Sequence, residues 1–313
     1  LLDRAFSKAT QVLSPGNLLH NRPFQLFLLV VVGTTVAGIV LDKPLDFNFG
    51  VHRWMFVLAF GLSGYFILCF RKKPEKLFLA LAITIGLMYS LTQPIFHPSW
   101  DEEFHYPTSV MHSFIGEAYY TENTQMIQTA SWRVNVDYYG AEERTAYIAA
   151  IDSLAERGFT SSVEQAETKY YSWISYIPYG IVLFITRSIG VSATYSYLIG
   201  RTAGVIVYAV VIFFALKRLR TGKYLVAVIS LIPTAMFLAS SYGYDYWVTA
   251  FTVLGFSYLF REWQEPDRPI DKQSVIIMLG AFIIGLAPKQ IYFPLMFSLY
   301  FLSKSKFQNQ QAY

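Results

Sequence analysis

The sequence has 313 residues, of which 54% are hydrophobic and 15% are charged, and its formal net charge is +4. This composition is far more apolar than that of an ordinary soluble domain, so it excludes the common soluble enzyme classes, and we expect no nucleic-acid partner. Several windows approach the roughly 20 apolar residues that a membrane-spanning helix needs. These windows are residues 24–41, 54–70, 77–96, 195–216, 224–242, 246–260 and 275–302. We therefore predict an all-α, polytopic helical membrane protein.

The first two windows precede the rest of the pattern and predict two additional transmembrane helices in an N-terminal region of residues 1–76. The residues before them lack the small-residue cleavage site of a secretory signal peptide, so we expect the first helix to remain as an anchor. Residues 77–313 are expected to form the core. The last window ends shortly before Tyr313, and we leave open whether further chain completes this core.

The charged loops indicate which way the chain crosses the membrane. Residues 71–76 and 217–223 are strongly basic, which is typical of cytoplasmic loops. Residues 97–172 carry twelve acidic residues and four basic ones, so we expect them outside, within an external loop at 97–194. The loop at 261–272 is expected to return to the cytoplasm.

The apolar segment at 173–189 is harder to place, because a full crossing there would move the second basic loop outside. The segment also contains a proline and a glycine, and we therefore favour a re-entrant or interfacial helix over a span. This choice brings Asp101 and Asp245 to the same external face. Earlier in the external loop, residues 141–158 are typical of a solvent-facing amphipathic helix.

The last window, residues 275–302, is interrupted at Pro288 and Lys289. We expect either two half-spans that meet around Lys289 or a short external turn at the same place. A lysine within an apolar run should face the interior of the helical bundle and an anion. Arg201, near the start of its own window, carries a similar ambiguity.

The stretch SWDEEFHY, residues 99–106, places ionisable groups directly after the third window. On a helix, Asp101 and His105 are four residues apart and share one face, with Glu102 beside them. Such an acid and imidazole group suits general base catalysis or a divalent metal ion. The alternative is a helix start in which Ser99 and Glu102 form a capping box, which leaves Asp101 available.

Asp245 lies among small and aromatic residues at the end of a window, where an unpaired charge is costly unless it has a partner or a task. The alternative is a carboxylate that reaches out into water. Aromatic residues near the window ends are typical of an interfacial belt whose polar edges stay wet, at Trp54, Trp173, Tyr242, Trp247 and Trp263. Motifs for ATP hydrolysis, dinucleotide binding and the common zinc sites are absent from the sequence.

Five stretches in a fixed order carry a family resemblance: DEEFHY, YYSWISYIPYGIVLFITRSIGVS, LIGRTAG, IPTAMFLASSYGYD and APKQIYFPL. In this order the chain, over roughly residues 77–302, resembles a family of predicted bacterial membrane proteins of unassigned function. That family is similar in turn to the GT-C superfamily of polyprenyl-phosphate-sugar-dependent glycosyltransferases. The resemblance implies a GT-C-like transmembrane bundle with a large extracytoplasmic first loop that contains juxtamembrane helices.

The resemblance also implies roles for individual residues. An acid in the first external loop activates the acceptor in GT-C enzymes, and a second acid after a later span completes the site. By position these are Asp101, with Glu102 as its neighbour, and Asp245, and we assign all three to catalysis. A divalent metal, Mg²⁺ or Mn²⁺, held by Asp101, His105 and Asp245 is left open, because Asp245 is not in a clear DxD or DxE motif. No cofactor is assigned with certainty.

The remaining candidates are substrate-binding residues: His105, Arg201, Tyr244 and Lys289. Lys289, Arg201 or a metal would steady the departing lipid phosphate.

The function implied is an enzyme of the bacterial plasma membrane. It would move a sugar from a polyprenyl-phosphate donor to a cell-envelope glycan or lipid acceptor on the extracytoplasmic face. Its expected partners are this donor, this acceptor and membrane lipids. Two alternatives from other classes remain, a transporter or flippase of lipid-linked sugars and a non-catalytic membrane scaffold.

Overall fold

The computed structural model describes residues 22–42, 51–92, 101–113 and 173–307. Within these ranges every regular element is a helix. The predicted amphipathic helix at 141–158 and Ser99 of the predicted capping box lie outside them.

The α-helices in chain order are α1 Arg22–Asp42, α2 Val51–Phe70, α3 Pro74–Thr92, α4 Glu102–His112, α5 Ile177–Ser188, α6 Ala193–Arg218, α7 Lys223–Ser230, α8 Pro233–Ala239, α9 Asp245–Gln264 and α10 Lys272–Leu286. The 3₁₀ segments are Trp173–Ser175, Gln290–Phe301 and Lys304–Lys306.

Helix α6 is the centre of the fold and packs against α3, α5 and α9. Gly200 and Gly204, one turn apart on α6, allow this close packing. A Cβ atom at Gly200 would collide with the hydroxyl of Tyr242, and one at Gly204 would collide with Tyr179 and with the carbonyl oxygen of Ala239. Small residues at contacts between membrane helices serve this purpose. The LIGRTAG stretch is thus a packing surface as well as the place of Arg201.

Two helices of the described ranges are long and apolar enough to cross a membrane, Pro74–Thr92 and the Tyr195–Arg218 part of α6. The first agrees with the third predicted window, although it begins earlier because Pro74 is well suited to a first helical turn. Helices α1 and α2 coincide with the first two windows. They pack against each other, and α2 packs against α3.

The window at 224–242 is not one helix, so the prediction of a single span there is wrong. Helix α7 ends at Ser230 and α8 begins at Pro233. Ile232 between them is extended, with φ −59° and ψ 145°. The cause is Pro233, which lacks an N–H group and disfavours helical geometry at the residue before it.

The last window is interrupted near Lys289, as predicted. Helix α10 ends at Leu286, and the chain continues beyond Lys289 as a 3₁₀ segment of 12 residues. This segment runs back toward the start of α10, because Lys306 Nζ lies 3.0 Å from Glu262 Oε2 near the end of α9. The run is therefore a hairpin whose tip is at Lys289.

Helix α5 has 12 residues. At 1.5 Å per residue it is about 18 Å long, which is short of the roughly 30 Å of a bilayer core. This length agrees with the prediction of a re-entrant or interfacial helix. Pro178 lies in the first turn of α5, where its missing N–H group is tolerated. Arg187 then ties α5 to the end of α4, because it donates hydrogen bonds to the hydroxyl (2.7 Å) and the carbonyl oxygen (2.6 Å) of Ser113.

Three charged loops lie together at one end of the molecule, which we call the basic end: residues 71–76, 217–223 and 261–272. Lys223 lies 3.7 Å from Glu75, which joins the first loop to the second. Arg218 lies 3.0 Å from Glu262, which joins the second to the third. The sequence predicted a common side for these loops, and the ion pairs agree with it. Helix α9 runs from Asp245 at the opposite end to this one.

The aromatic residues divide into two groups. Trp173 and Trp263 are exposed, as expected of an interfacial belt. Tyr242 and Trp247 are buried, so their assignment to that belt is wrong. The hydroxyl of Tyr242 donates to the carbonyl oxygen of Tyr197 at 3.0 Å, and the indole N–H of Trp247 donates to a carbonyl oxygen of α10 at 2.9 Å. Their polar atoms are satisfied by protein instead of water.

Candidate functional site

The candidate site lies at the end of the fold opposite the basic end. It is built where α4 begins, where α9 begins and where the C-terminal hairpin turns. We call it the carboxylate site and define it by five residues: Asp101, His105, Tyr244, Asp245 and Lys289.

Asp101 is the N-cap residue of α4 and has a left-handed backbone, with φ 63° and ψ 8°. Aspartate and asparagine tolerate this geometry better than most other residues with a side chain. The side chain of Asp101 is exposed and makes no capping hydrogen bond. Because the N-cap is Asp101, Glu102 is the first residue of the helix and not the third. The predicted capping box between Ser99 and Glu102 is therefore wrong.

Glu102 and Arg201 form a fully buried ion pair. Arg201 donates from Nε to one carboxylate oxygen at 2.9 Å and from Nη2 to the other at 3.0 Å. The backbone N–H of Tyr242 donates to the first of these oxygens at 2.9 Å. Arg201 also donates to the hydroxyl of Tyr197 at 2.9 Å and lies over its ring. Both charges are thus paired within the protein, next to the carboxylate site but beneath its surface.

His105 lies one turn after Asp101 and is buried against aromatic rings. Its Nδ1 atom is 2.8 Å from the hydroxyl of Tyr176. The ring of Tyr244 meets it edge to face at a centroid distance of 5.1 Å. These contacts fix the imidazole in place and connect α4 to the start of α5 and to the turn before α9.

The charge of His105 is set by opposing effects. Burial is the largest and lowers its pKa, whereas the carboxylates of Asp101, Asp245 and Glu102 raise its pKa and Lys289 lowers it. The net result is a lowered pKa, so the imidazole is neutral at physiological pH. Asp101 and Asp245 therefore both lie close enough to one imidazole to act on its charge, although they come from distant parts of the sequence.

Asp245 and Lys289 form a partly exposed ion pair. Lys289 Nζ lies 3.3 Å from Asp245 Oδ1, and the side chains are 33% and 36% exposed. The ammonium group is also 5.4 Å from the ring centroids of both Tyr244 and Tyr292. Aromatic faces stabilise a cation at such distances. Asp245 lies in the first turn of α9, where a negative charge is favoured by the helix dipole.

The structure thus places the predicted site residues in two groups. Asp101, His105, Tyr244, Asp245 and Lys289 come together, whereas Glu102 and Arg201 pair with each other below them. Among the residues that the structure describes, no three His, Cys, Asp or Glu side chains are placed to hold a metal ion. The donor set considered for a metal does not form such a group here.

Sequence reasoning missed a cluster of buried tyrosines around the Glu102–Arg201 pair: Tyr106, Tyr176, Tyr179, Tyr197, Tyr242 and Tyr246. Several of their hydroxyls bond to backbone groups, as between Tyr179 and the Ser241 carbonyl oxygen (2.8 Å), or to site residues such as His105. Three- and four-residue spacing between tyrosines, as at Tyr176 and Tyr179, was the available signal, since such residues share one helix face.

A cavity of about 400 Å³ lies elsewhere, between α10 and the 3₁₀ arm of the hairpin. Its lining is apolar and includes Val275, Met278 and Phe307. These residues lie toward the basic end, so the cavity adds no polar group to the carboxylate site.

Comparison with family models matches residues 83–313, which include every residue of the carboxylate site. The chain belongs to the DUF2142 family. The family is described as predicted membrane proteins, and this supports a membrane location for the chain. Helices α1 and α2 precede the DUF2142 region. No curated protein matches the chain significantly, and no solved structure does. The DUF2142 description names no activity, so the link to GT-C enzymes stays a prediction.

Proposed function

We propose that this protein is a GT-C-like glycosyltransferase with several membrane crossings. It transfers a sugar from a polyprenyl-phosphate donor to a cell-envelope glycan or lipid acceptor, at the extracytoplasmic face of a bacterial plasma membrane. One observation carries the proposal. His105, one turn after Asp101 on α4, contacts the ring of Tyr244, the residue before Asp245, and Lys289 pairs with Asp245 at the end opposite the basic loops.

The charge distribution supports the orientation. Lysine and arginine in short loops favour the cytoplasmic side, and the two strongly basic loops, residues 71–76 and 217–223, share the basic end with the mixed-charge loop at 261–272. The carboxylate site then faces outward, where nucleotide sugars are absent. A sugar carried on a membrane lipid is a donor that can reach this site.

The chemistry assigns distinct tasks to the two acids. The exposed carboxylate of Asp101 takes the proton of an acceptor hydroxyl while that oxygen attacks the anomeric carbon. The bond between this carbon and the lipid phosphate oxygen breaks, and the phosphate leaves with the electron pair. Asp245 stabilises the positive charge that develops at the anomeric carbon, and Lys289 stabilises the negative charge on the phosphate.

The ring of Tyr244 completes the substrate contacts, and the buried imidazole of His105 holds that ring in place. The ring of Tyr244 lies next to Lys289 and offers a face to the sugar.

The test is sugar transfer from a polyprenyl-phosphate donor to cell-envelope acceptors in membranes that contain the protein. Asp101→Asn and Asp245→Asn are compared with the wild type at matched expression. Asp267→Asn is the control, because Asp267 is exposed and lies in a loop of the basic end. We expect transfer to fall about a hundredfold or more in the first two variants, in keeping with the loss of an acid–base group, and to persist in the control. Equal transfer by all four proteins would show that the carboxylate site is not catalytic.

A transporter of lipid-linked sugars is the second candidate, because two apolar runs are discontinuous. One break separates α7 from α8, and the other lies between α10 and the 3₁₀ arm at Lys289. Broken helices line substrate sites in many transporters. Movement of a labelled lipid-linked sugar across vesicles, without any sugar transfer, would favour this function. A protein that supports neither process would be a scaffold.

A further inference from the structure

We propose that Glu102 and Arg201 are positioning residues whose buried pair sets the separation of the Asp101 and Asp245 carboxylates. The inference rests on the proposed function, since it leaves the chemistry to those two acids. It also replaces the catalytic role that the family resemblance implies for Glu102.

The carboxylate of Glu102 joins three elements of the fold. Its own helix is α4, Arg201 belongs to the central helix α6, and the N–H of Tyr242 belongs to the turn that leads into α9. Three N–H donors reach the two oxygens at 2.9, 3.0 and 2.9 Å. One carboxylate thus fixes the start of α4 and the turn before α9 against the same helix.

Both catalytic acids lie next to this junction in sequence. Asp101 directly precedes Glu102, and Asp245 follows Tyr242 by less than one helical turn. The positions of the two acids are therefore determined by groups that Glu102 holds. Any shift of Glu102 away from Arg201 changes the distance between Asp101 and Asp245.

Burial argues against Glu102 as a general base. Its side chain is 0% exposed, and so is that of Arg201. A general base must reach the proton that it removes, directly or through one water molecule. Both carboxylate oxygens of Glu102 already accept hydrogen bonds from N–H groups of the protein.

Other contacts support the same junction from the opposite side. Tyr242 donates its hydroxyl to the carbonyl oxygen of Tyr197, one turn before Arg201. Arg201 donates to the hydroxyl of Tyr197. Gly200 leaves the space that the Tyr242 ring occupies. The turn before α9 is thus held to α6 by side-chain and backbone groups together.

The first experiment measures transfer as a double-mutant cycle. Glu102→Gln leaves the Arg201 charge buried and unpaired, so we expect a large loss of folded protein or of transfer. The double variant Glu102→Gln with Arg201→Gln removes both charges and keeps the side-chain sizes. We expect it to fold and to transfer sugar at least about tenfold faster than the single variant, since coupled residues show such rescue. The pH dependence of its kcat should match that of the wild type.

The outcomes separate the two roles. If Glu102 is a catalytic acid or base, the folded double variant is as inactive as the single one, and that result would overturn the inference. Arg201→Lys covers the case in which Glu102→Gln does not fold. It keeps the charge but loses the two-point contact. A positioning role predicts a lower kcat with little change in the KM for the donor, whereas unchanged kcat would contradict it.

A second measurement needs no activity. In a Cys69→Ser background, nitroxide labels at Phe104→Cys, an exposed position on α4, and at Asp245→Cys report the separation of the starts of α4 and α9 through dipolar broadening. Glu102→Gln with Arg201→Gln should spread this separation over a wider range. The control is Glu75→Gln with Lys223→Gln, an ion pair at the basic end, which should leave it unchanged. A spread that does not change in the first pair would refute the inference, even if no variant transfers sugar and the proposed function itself fails.

Discussion

The ammonium group of Lys289 lies 3.3 Å from the carboxylate of Asp245, and about a third of each side chain is exposed. This distance is longer than the 2.7–2.9 Å of a strong charged hydrogen bond. Exposed pairs of this kind contribute only about 0–1 kcal/mol. A ligand with a phosphate group can therefore take the place of Asp245 at Lys289 without a large energetic cost. Substrate can therefore displace the carboxylate of Asp245 from Lys289 easily.

This exchange predicts opposite effects of two neutral substitutions on lipid binding. Asp245→Asn removes the competing carboxylate, so vesicles that contain polyprenyl phosphate should bind about two- to fivefold more tightly, the range that a weak pair allows. Lys289→Gln removes the cation and should weaken binding. Vesicle flotation or surface plasmon resonance measures the binding of both variants.

The control for the exchange is Lys304→Gln, because Lys304 is exposed and lies near the basic end. It should bind like the wild type. Vesicles without the phosphate lipid, and free inorganic phosphate as a competitor, distinguish a lipid from a soluble anion. Weaker binding by Asp245→Asn would contradict the exchange, since it would mean that Asp245 itself holds the ligand.

His105 predicts a pH dependence of stability. Burial lowers its pKa in the folded protein below the ordinary value of 6.5. Between these two values the unfolded chain binds a proton that the folded protein does not, so stability falls as the pH drops below about 6.5. Above the ordinary value the contribution is fully present. Thermal unfolding in detergent between pH 7.5 and 5 should show this loss.

The substitution His105→Gln should flatten that pH profile, since glutamine does not titrate and can still accept a hydrogen bond from Tyr176. His112→Gln is the comparison, because the pKa of His112 is also lowered by burial. Each variant should remove part of the slope. If the stability of His105→Gln depends on pH as steeply as that of the wild type, the fold does not hold the imidazole of His105 neutral.

The close packing at Gly200 predicts a steric effect with a specific rescue. Gly200→Ala places a methyl group against the hydroxyl of Tyr242 and should cost about 1–3 kcal/mol of stability, as overpacked cores do. Tyr242→Phe in the same chain removes that hydroxyl and should recover part of the loss. Gly280→Ala has open space around it and should be neutral or slightly stabilising. Thermal unfolding decides, and equal effects of the two alanines would rule out the packing argument.

Features that depend on local sequence were predictable. Basic residues predicted that the loops at 71–76 and 217–223 share an end, because each of these loops carries its own charge, whereas the loop at 261–272 was placed by the order of crossings. The interruption at Lys289 was visible as Pro288 inside an apolar run. The break at Pro233 carried the same kind of signal. It was missed because the hydropathy of the run is high enough for a span even where the backbone cannot continue as a helix.

Features that depend on distant partners were harder to predict. Nothing near Glu102 in the sequence shows that its carboxylate pairs with Arg201. An acid beside Asp101 was therefore assigned to the same catalytic role. The convergence of Asp101 and Asp245 followed from a count of crossings, which fixes the end of the fold but not the contacts there. The buried tyrosines were also beyond this reasoning, because an aromatic residue near a helix end suits an interface and a core equally well.

The left-handed backbone at Asp101 has a consequence for how the site should be mutated. Alanine at this position would adopt that geometry only at a cost of about 1–2 kcal/mol, whereas asparagine tolerates it. An alanine scan would therefore report two losses as one, the missing carboxylate and a distorted start of α4. Since α4 also carries Glu102 and His105, such a distortion would spread to the junction and to the imidazole. Asparagine is the substitution at Asp101 that isolates chemistry from backbone geometry.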